Sequence, residues 1–284
     1  MVHRTIEVLK NMHCGAHTKV IVQGDTSTSY FAALAARSIG ARIFHVEAGL
    51  RSGSVSSPFP EEFNRRSISR MAHLHYAPND GAKNNLLNEG VQGSAILVTG
   101  NTGIDTVERI GMRTHLQRPD VVLITLHRQE NRGRVVVAVL RAVQELASLY
   151  PALRFVWLGH SHPAVEGEIA KSGASPISNL CFAPPMAHEQ LLNDHGSYAL
   201  IMTDSGGLQE EATHLGIPLI ILRERTERPE ALLLGNGVLC PPMDHDRTIS
   251  TFRRLVQLER RQNKVFGQGD ASRRIVDHLL AYVK

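Results

Sequence analysis

Cysteine is scarce in this chain: its 284 residues include three, Cys14, Cys181 and Cys240, far apart and odd in number. That argues against a disulfide scaffold and for a reducing compartment. No stretch approaches the roughly 18 uninterrupted apolar residues of a membrane-spanning helix. Polar His3, Arg4 and Glu7 stand where a secretory leader would be apolar. The chain therefore reads as cytoplasmic, with no membrane partner. An excess of one charge sign is lacking too, since 31 Lys and Arg face 27 Asp and Glu. With no basic stripe interleaved with aromatics, no nucleic-acid partner is expected. The 15 histidines include no HExxH pattern and no His/Cys ligand spacing, so no metal site is expected. A GxGxxG dinucleotide fingerprint is also missing, and internal repeats and low-complexity tracts are absent.

What is present is an alternation of short apolar runs with helical spacing. Lys19–Gln23, Ala41–Val46, His73–Ala77 and Ser94–Thr99 read as strands. Helical patterns separate them over 2–12, 31–38, 61–71 and 80–88. A polar, proline-containing stretch at 111–120 then interrupts the pattern. A second alternating unit follows: a strand at 121–126, a helix at 135–149, a strand at 154–158 and a helix near 188–193. Strands at 199–203, 219–222 and near 238–239 come next, then helices at 248–261 and 270–283. Such alternation predicts an α/β fold with parallel sheets. The expected domains are 1–112, 113–267 and a closing helix over 268–284. That helix carries Ile275, Leu279 and Tyr282 on one face.

The stretch from Ala199 to Ala212 organises the second half. An apolar run breaks at Thr203-Asp204-Ser205-Gly206-Gly207 and resumes as a helix. This pattern describes a buried strand, a tight turn and a helix whose first free amides face whatever lies beyond the strand ends. Ser205, Gly206 and Gly207 are accordingly candidates to hold a phosphate or diphosphate, the alternative being a plain strand-to-helix connection. Asp25 and Glu47 each follow a strand, which points both side chains toward one pocket. Asp25 has the alternative role of capping the next helix, and Glu61 that of capping its own. Arg65, four residues beyond Glu61, shares its helical face. His127 follows the strand 121–126, and Arg128 is a charge at the same rim.

Seven segments carry a further signal: Gln23-Gly24-Asp25-Thr26, His45 to Arg51, Pro60 to Arg65, Thr99-Gly100-Asn101-Thr102, Leu126 to Asn131, Thr203 to Glu211, and Thr226 to Glu230. In this order they resemble the non-hydrolysing UDP-N-acetylglucosamine 2-epimerases. The resemblance implies a GT-B-like fold, two Rossmann-like parallel-sheet domains facing a cleft. The first domain is truncated relative to the family's opening strand and its Gly-Thr-Arg-Pro-Glu loop. It also implies reversible conversion of UDP-N-acetylglucosamine to UDP-N-acetylmannosamine. A base removes the C2 proton while UDP leaves C1, and UDP then adds back to a glycal-type intermediate. No nicotinamide or metal cofactor is involved, and the family forms dimers.

By the same resemblance Asp25, Glu47 and Glu61 are the acid/base carboxylates, with Arg65 beside them. His127 lies at the catalytic centre, assisting UDP departure or proton handling; Arg128 is a substrate-binding candidate at the same rim, the alternative being a purely structural charge. Glu211 grips the ribose hydroxyls and Arg228 reaches the nucleotide sugar. Taken alone, Glu211 also reads as a solvated helix face, and Glu227, Arg228 and Glu230 as a surface ion network. Gln129 departs from the family's usual arginine. Other readings share these residues: a catalytically weak or inactive nucleotide-sugar-binding fragment or subunit, and a glycosyltransferase of the same fold.

Overall fold

The computed structural model describes residues 2–55, 57–110, 119–128, 131, 133–159 and 177–283. The chain divides into two compact units, Met1–Thr106 with Val265–Lys284, and Val107–Lys264. The first unit runs α1 (Val2–Asn11), β1 (Lys19–Gln23), α2 (Ser27–Ser38), β2 (Arg42–Val46), α3 (Glu61–Met71), β3 (Leu74–Ala77), α4 (Asp80–Asn88), β4 (Ile96–Val98) and α5 (Thr102–Ile110). Its sheet has the order β1-β2-β3-β4, every neighbouring pair parallel. β3 is buried throughout, as expected of a parallel strand covered on both faces.

The second unit contains β5 (Val121–Thr125), α6 (Arg134–Leu149), β6 (Arg154–Leu158), β7 (Leu180–Ala183), α7 (His188–Asn193) and β8 (Tyr198–Thr203). It continues through α8 (Gly206–Leu215), β9 (Leu219–Leu222), α9 (Glu230–Leu233), β10 (Gly237–Cys240) and α10 (His245–Leu255). Its parallel sheet has the order β10-β9-β8-β5-β6-β7. After β5 the chain builds outward through β6 and β7, then returns to the opposite side of β5 with β8. The carboxyl ends of β5 and β8 therefore flank a topological switch point, the place in an open α/β sheet where loops diverge and leave a crevice. Their last paired residues are Thr125 and Thr203, whose hydroxyls lie 2.6 Å apart.

The closing helix α11 (Ala271–Val283) belongs to the first unit. Ile275 joins Phe44, Val46, Leu74 and Tyr76 in one buried cluster, and Tyr282 meets Phe44 edge-on at 5.5 Å. The connection is tight. Asn101 N donates to Phe266 O at 2.7 Å, and a Cβ on Gly100 would stand 2.9 Å from Gly267 Cα, so both positions need glycine. Asp105 then accepts from the first amides of α11, Ala271 at 2.9 Å and Ser272 at 2.7 Å.

Several elements differ from the sequence expectation, including the helices α5 and α9, which were not expected. β7 was not expected, because it is a short edge strand whose residues are exposed or half-buried and carry no alternating pattern. The helix expected over 248–261 forms over 245–255. It starts early because Asp244 caps it, accepting from Arg247 N at 3.1 Å. It stops at Leu255, its last fully buried residue, and beyond it Arg260 donates to the carbonyls of His195, Gly196 and Tyr198 instead. Among the described residues no helix is long and apolar enough to cross a membrane.

Candidate active site

In the first unit the ends of β1 and β2 meet the start of α3. Gly24 N donates to Val46 O at 3.0 Å, carrying the ladder one step past the strands. A Cβ on Gly24 would stand 3.2 Å from Glu47 Oε2, so Glu47 lies against the loop that bears Asp25. Glu47 has φ +62°, a left-handed conformation that strains a non-glycine residue and is characteristic of functional positions. Asn101 donates to its Oε1 at 3.4 Å.

Asp25 does not cap α2. Thr26 does, accepting from Ser29 N at 3.2 Å, and Asp25 Oδ2 instead pairs with Arg65 Nη2 at 2.5 Å. Nor does Glu61 occupy the cap of α3, which is Pro60; Glu61 Oε2 is buried and has no hydrogen-bond partner. Its neighbour Glu62, fully buried, accepts from Arg65 at 2.9 Å, Arg66 at 3.1 Å and Ser52 N at 3.0 Å. The doubled glutamate thus splits into a carboxylate with spare hydrogen-bonding capacity and one committed to holding Arg65. Beneath them His45 Nε2 bonds Gly24 O at 2.9 Å; complete burial pushes its pKa down to about 4, so the ring is neutral.

In the second unit the switch point is organised by Asp204, which is fully buried. Its carboxylate accepts from His127 N at 3.0 Å, Arg128 N at 2.9 Å and Asn131 Nδ2 at 2.9 Å, while its carbonyl accepts from Arg128 Nε at 3.1 Å. Asp204 therefore sets the backbone at His127 and Arg128 across the sheet from the next strand. Immediately after it, Ser205 caps α8, and Gly206 and Gly207 form the helix's first positions.

Three guanidiniums and two carboxylates stand beside that helix. Arg228 pairs with Glu210 at 2.5 Å and with Glu227 at 2.5 Å; Glu227 also lies 2.8 Å from Arg223 and 3.5 Å from Arg128. The surface-network alternative for Glu227 and Arg228 is overturned, because they are only 2% and 6% exposed. Burial is the main cause that lowers the Arg223 pKa from its ordinary value, followed on the same side by Arg128 and Arg228. Arginine nonetheless keeps its charge at neutral pH. The free amides of α8, with these guanidiniums beside them, favour an anion. Glu211 is buried as well, not on a solvated face; its Oε1 bonds His188 Nε2 at 2.8 Å.

The family model for UDP-N-acetylglucosamine 2-epimerases matches residues 1–280. The chain belongs to this family. Among the epimerase relatives, the putative enzyme of Clostridium acetobutylicum is 37% identical over 278 residues, covering 92% of this chain and 72% of that protein. The UDP-N-acetylglucosamine 2-epimerase of Salmonella borreze is 34% identical over 284 residues, covering 92% and 75%. Among solved structures, the S. aureus MnaA–UDP co-structure superposes with a TM-score of 0.90 at 32% identity, covering 99% of this chain and 80% of that one. The Neisseria meningitidis epimerase bound to UDP-GlcNAc gives 0.88 at 33%, with the same coverage. These likenesses bear out the GT-B-like epimerase fold class of two Rossmann-like sheets.

Within the epimerase framework, the structure gathers Asp25, Glu47, Glu61 and Arg65 at the strand ends of the first unit. His127, Arg128, Ser205, Gly206, Gly207, Glu211 and Arg228 gather at those of the second. Gln129 lies outside the described residues. Sequence reading did not single out Glu62, His188, Asp204 or Arg223. A signal existed for Asp204, a charged residue directly after an apolar strand inside the organising motif. For His188 the partner comes from a separate element, while Arg223 pairs with Glu227 inside a loop of many charges and Glu62 belongs to a doublet whose members look alike.

Proposed function

We propose that this chain interconverts UDP-N-acetylglucosamine and UDP-N-acetylmannosamine by elimination and re-addition of UDP. The observation that carries this reading is the arrangement at the switch point: the amino end of α8 with the guanidiniums of Arg128, Arg223 and Arg228 beside it. As the C1–O bond breaks, negative charge grows on the β-phosphate. Amides of Gly206 and Gly207, the Ser205 hydroxyl and Arg228 supply donors that are already oriented, so little reorganisation accompanies the bond cleavage. Glu211 takes the ribose hydroxyls.

Asp25, Glu47 and Glu61 serve the proton at C2. Removing it from one face and returning it to the other needs a carboxylate not already saturated with donors, and the buried, unpartnered Oε2 of Glu61 supports that role. Arg65 sets Asp25, and His127 serves the leaving group or the proton at the centre of reaction. The reaction as written is redox-neutral and returns the departing UDP to C1. A reducing compartment is supported by Cys14, Cys181 and Cys240, all unpaired, and with it a cytoplasmic location. We further propose a homodimer, as the family resemblance implies.

The test is proton NMR of the chain with UDP-N-acetylglucosamine in D2O, beside the His127→Ala and Glu61→Gln variants. Expected are C2 exchange and the appearance of UDP-N-acetylmannosamine without any acceptor, both lost in the variants. Folded protein that binds UDP yet shows no exchange would overturn the epimerase reading and leave a nucleotide-sugar-binding subunit. Product appearing only with an added acceptor would make it a glycosyltransferase.

A further inference from the structure

We propose that His188 is a positioning residue for Glu211, holding one carboxylate oxygen so that the other is presented to a ribose hydroxyl, and that the pair selects ribonucleotides over 2′-deoxyribonucleotides. This rests on the reading that Glu211 binds the ribose.

The two oxygens of Glu211 have different surroundings. Oε1 accepts from His188 Nε2 at 2.8 Å, whereas Oε2 is buried without a hydrogen-bond partner among the described residues. A carboxylate oxygen taken out of water and left without a donor is unfavourable, and a bound hydroxyl would satisfy it. Glu211 follows Gly207 by four residues on α8, one helical turn, and a Cβ on Gly207 would stand 3.8 Å from Oε1. The carboxylate thus lies over the helix start where the diphosphate is proposed to sit. A diol bound there donates to carboxylate, and a ring lacking one hydroxyl leaves that oxygen unpaired. Sites built around a buried hydrogen-bonding group reject the analogue that lacks the partner more strongly than they reject small changes of apolar size.

His188 stands at the first position of α7, a different element, with its side chain 53% exposed. It can be replaced with little effect on the core, yet it fixes the rotation of Glu211. The hydrogen bond it donates to Glu211 is the main cause that raises its pKa, the field of the same carboxylate adds to it, and burial opposes both. Among the described residues Glu211 is the one carboxylate acting on His188; Glu189 is the next residue of α7, and Asp194 and Glu211 both act on Tyr198. The imidazolium grip is complete below the ordinary histidine pKa and weakens as pH rises through the raised one.

Affinities of the full chain for UDP and 2′-deoxy-UDP, measured by calorimetry across about pH 6 to 8, test this. The unmodified chain should prefer UDP, and the preference should fall as pH rises. His188→Ala should reduce it by about tenfold, the loss of one charge-assisted hydrogen bond, and remove its pH dependence. His188→Gln, which keeps an N–H donor but does not titrate, should retain part of the preference with a flat profile. Glu211→Gln should collapse it at every pH. If His188→Ala leaves the preference intact while Glu211→Gln collapses it, His188 has no positioning role. If His188→Ala tightens UDP binding, His188 is a competitor for the ribose seat and the proposal fails. If Glu211→Gln changes nothing, the ribose reading itself falls.

Discussion

A Cβ placed on Gly206 would stand 2.5 Å from Nη1 of Arg228 and 2.8 Å from its Cζ. A flexible arginine would normally swing away, but this one is buried and pinned by Glu210 and Glu227, each at 2.5 Å. Gly206→Ala should therefore displace Arg228 from the start of α8 and weaken UDP binding by about tenfold or more, the loss of one or two charge-assisted hydrogen bonds. Gly207→Ala is the control, because its Cβ meets only Glu211 Oε1 at 3.8 Å, an ordinary contact. Calorimetric titration with UDP separates the two: equal losses would show that Arg228 is free to move.

Asp204 fixes two backbone amides and a side-chain amide at once. Asp204→Asn keeps the size but turns one acceptor oxygen into a donor facing buried N–H groups. The expected destabilisation is about 1–3 kcal/mol. Because His127 is one of the residues it holds, epimerisation should also fall in kcat more than in KM. Urea unfolding and steady-state kinetics check the two parts separately.

Adjacent glutamates should respond in opposite ways. Glu62→Gln breaks a buried set of charges that includes Arg65 at 2.9 Å, and should destabilise the chain by about 3–5 kcal/mol. Glu61→Gln removes a charge whose Oε2 has no partner, so thermal stability should hold while C2 exchange is lost. Differential scanning calorimetry on both variants decides. Comparable losses of stability would mean that Glu61 is structural.

His45 supplies a pH dependence of stability. Its folded pKa is near 4, against 6.5 for an unburied ring, chiefly because burial disfavours the charged form. Above 6.5 both states are neutral and the group has no effect. As pH falls from 6.5 toward 4 the unfolded chain takes up the proton and the folded chain does not, so about 3 kcal/mol of stability is lost. Its Nδ1 is buried without a partner, so protonation there would add a donor with no acceptor. Urea unfolding at neutral and acid pH should show this slope, reduced in His45→Gln.

Strands buried on both faces were legible because their sequences are continuous apolar runs, as in β5, β8 and β9, and α6 declared itself by helical spacing. β7 was not, since its sequence at the sheet edge lacks a burial pattern, and the end of α10 was missed because its local spacing continues past the point where Arg260 turns to distant carbonyls. The site divides in the same way. Asp25, Glu47, His127 and Ser205 could be placed because each lies just beyond a strand, where a parallel sheet collects function, while the acid/base roles of Asp25 and Glu47 came from the family resemblance. The roles of Glu62, Asp204 and Arg223 were hidden, since partner choice within a charged cluster is a matter of geometry.

By itself, then, the order of residues determined the alternation of strand and helix, the two sheets and the polar groups at their ends, because hydrophobic period and turn residues act over a few neighbours. Tertiary structure decided that β8 returns to the far side of β5, which puts Asp204 beneath His127 and makes the switch point. It also decided that Arg65 turns to Asp25, and that His188 takes one oxygen of Glu211. Those pairings join residues from separate turns or elements, and their strength depends on burial, which no local stretch of sequence carries.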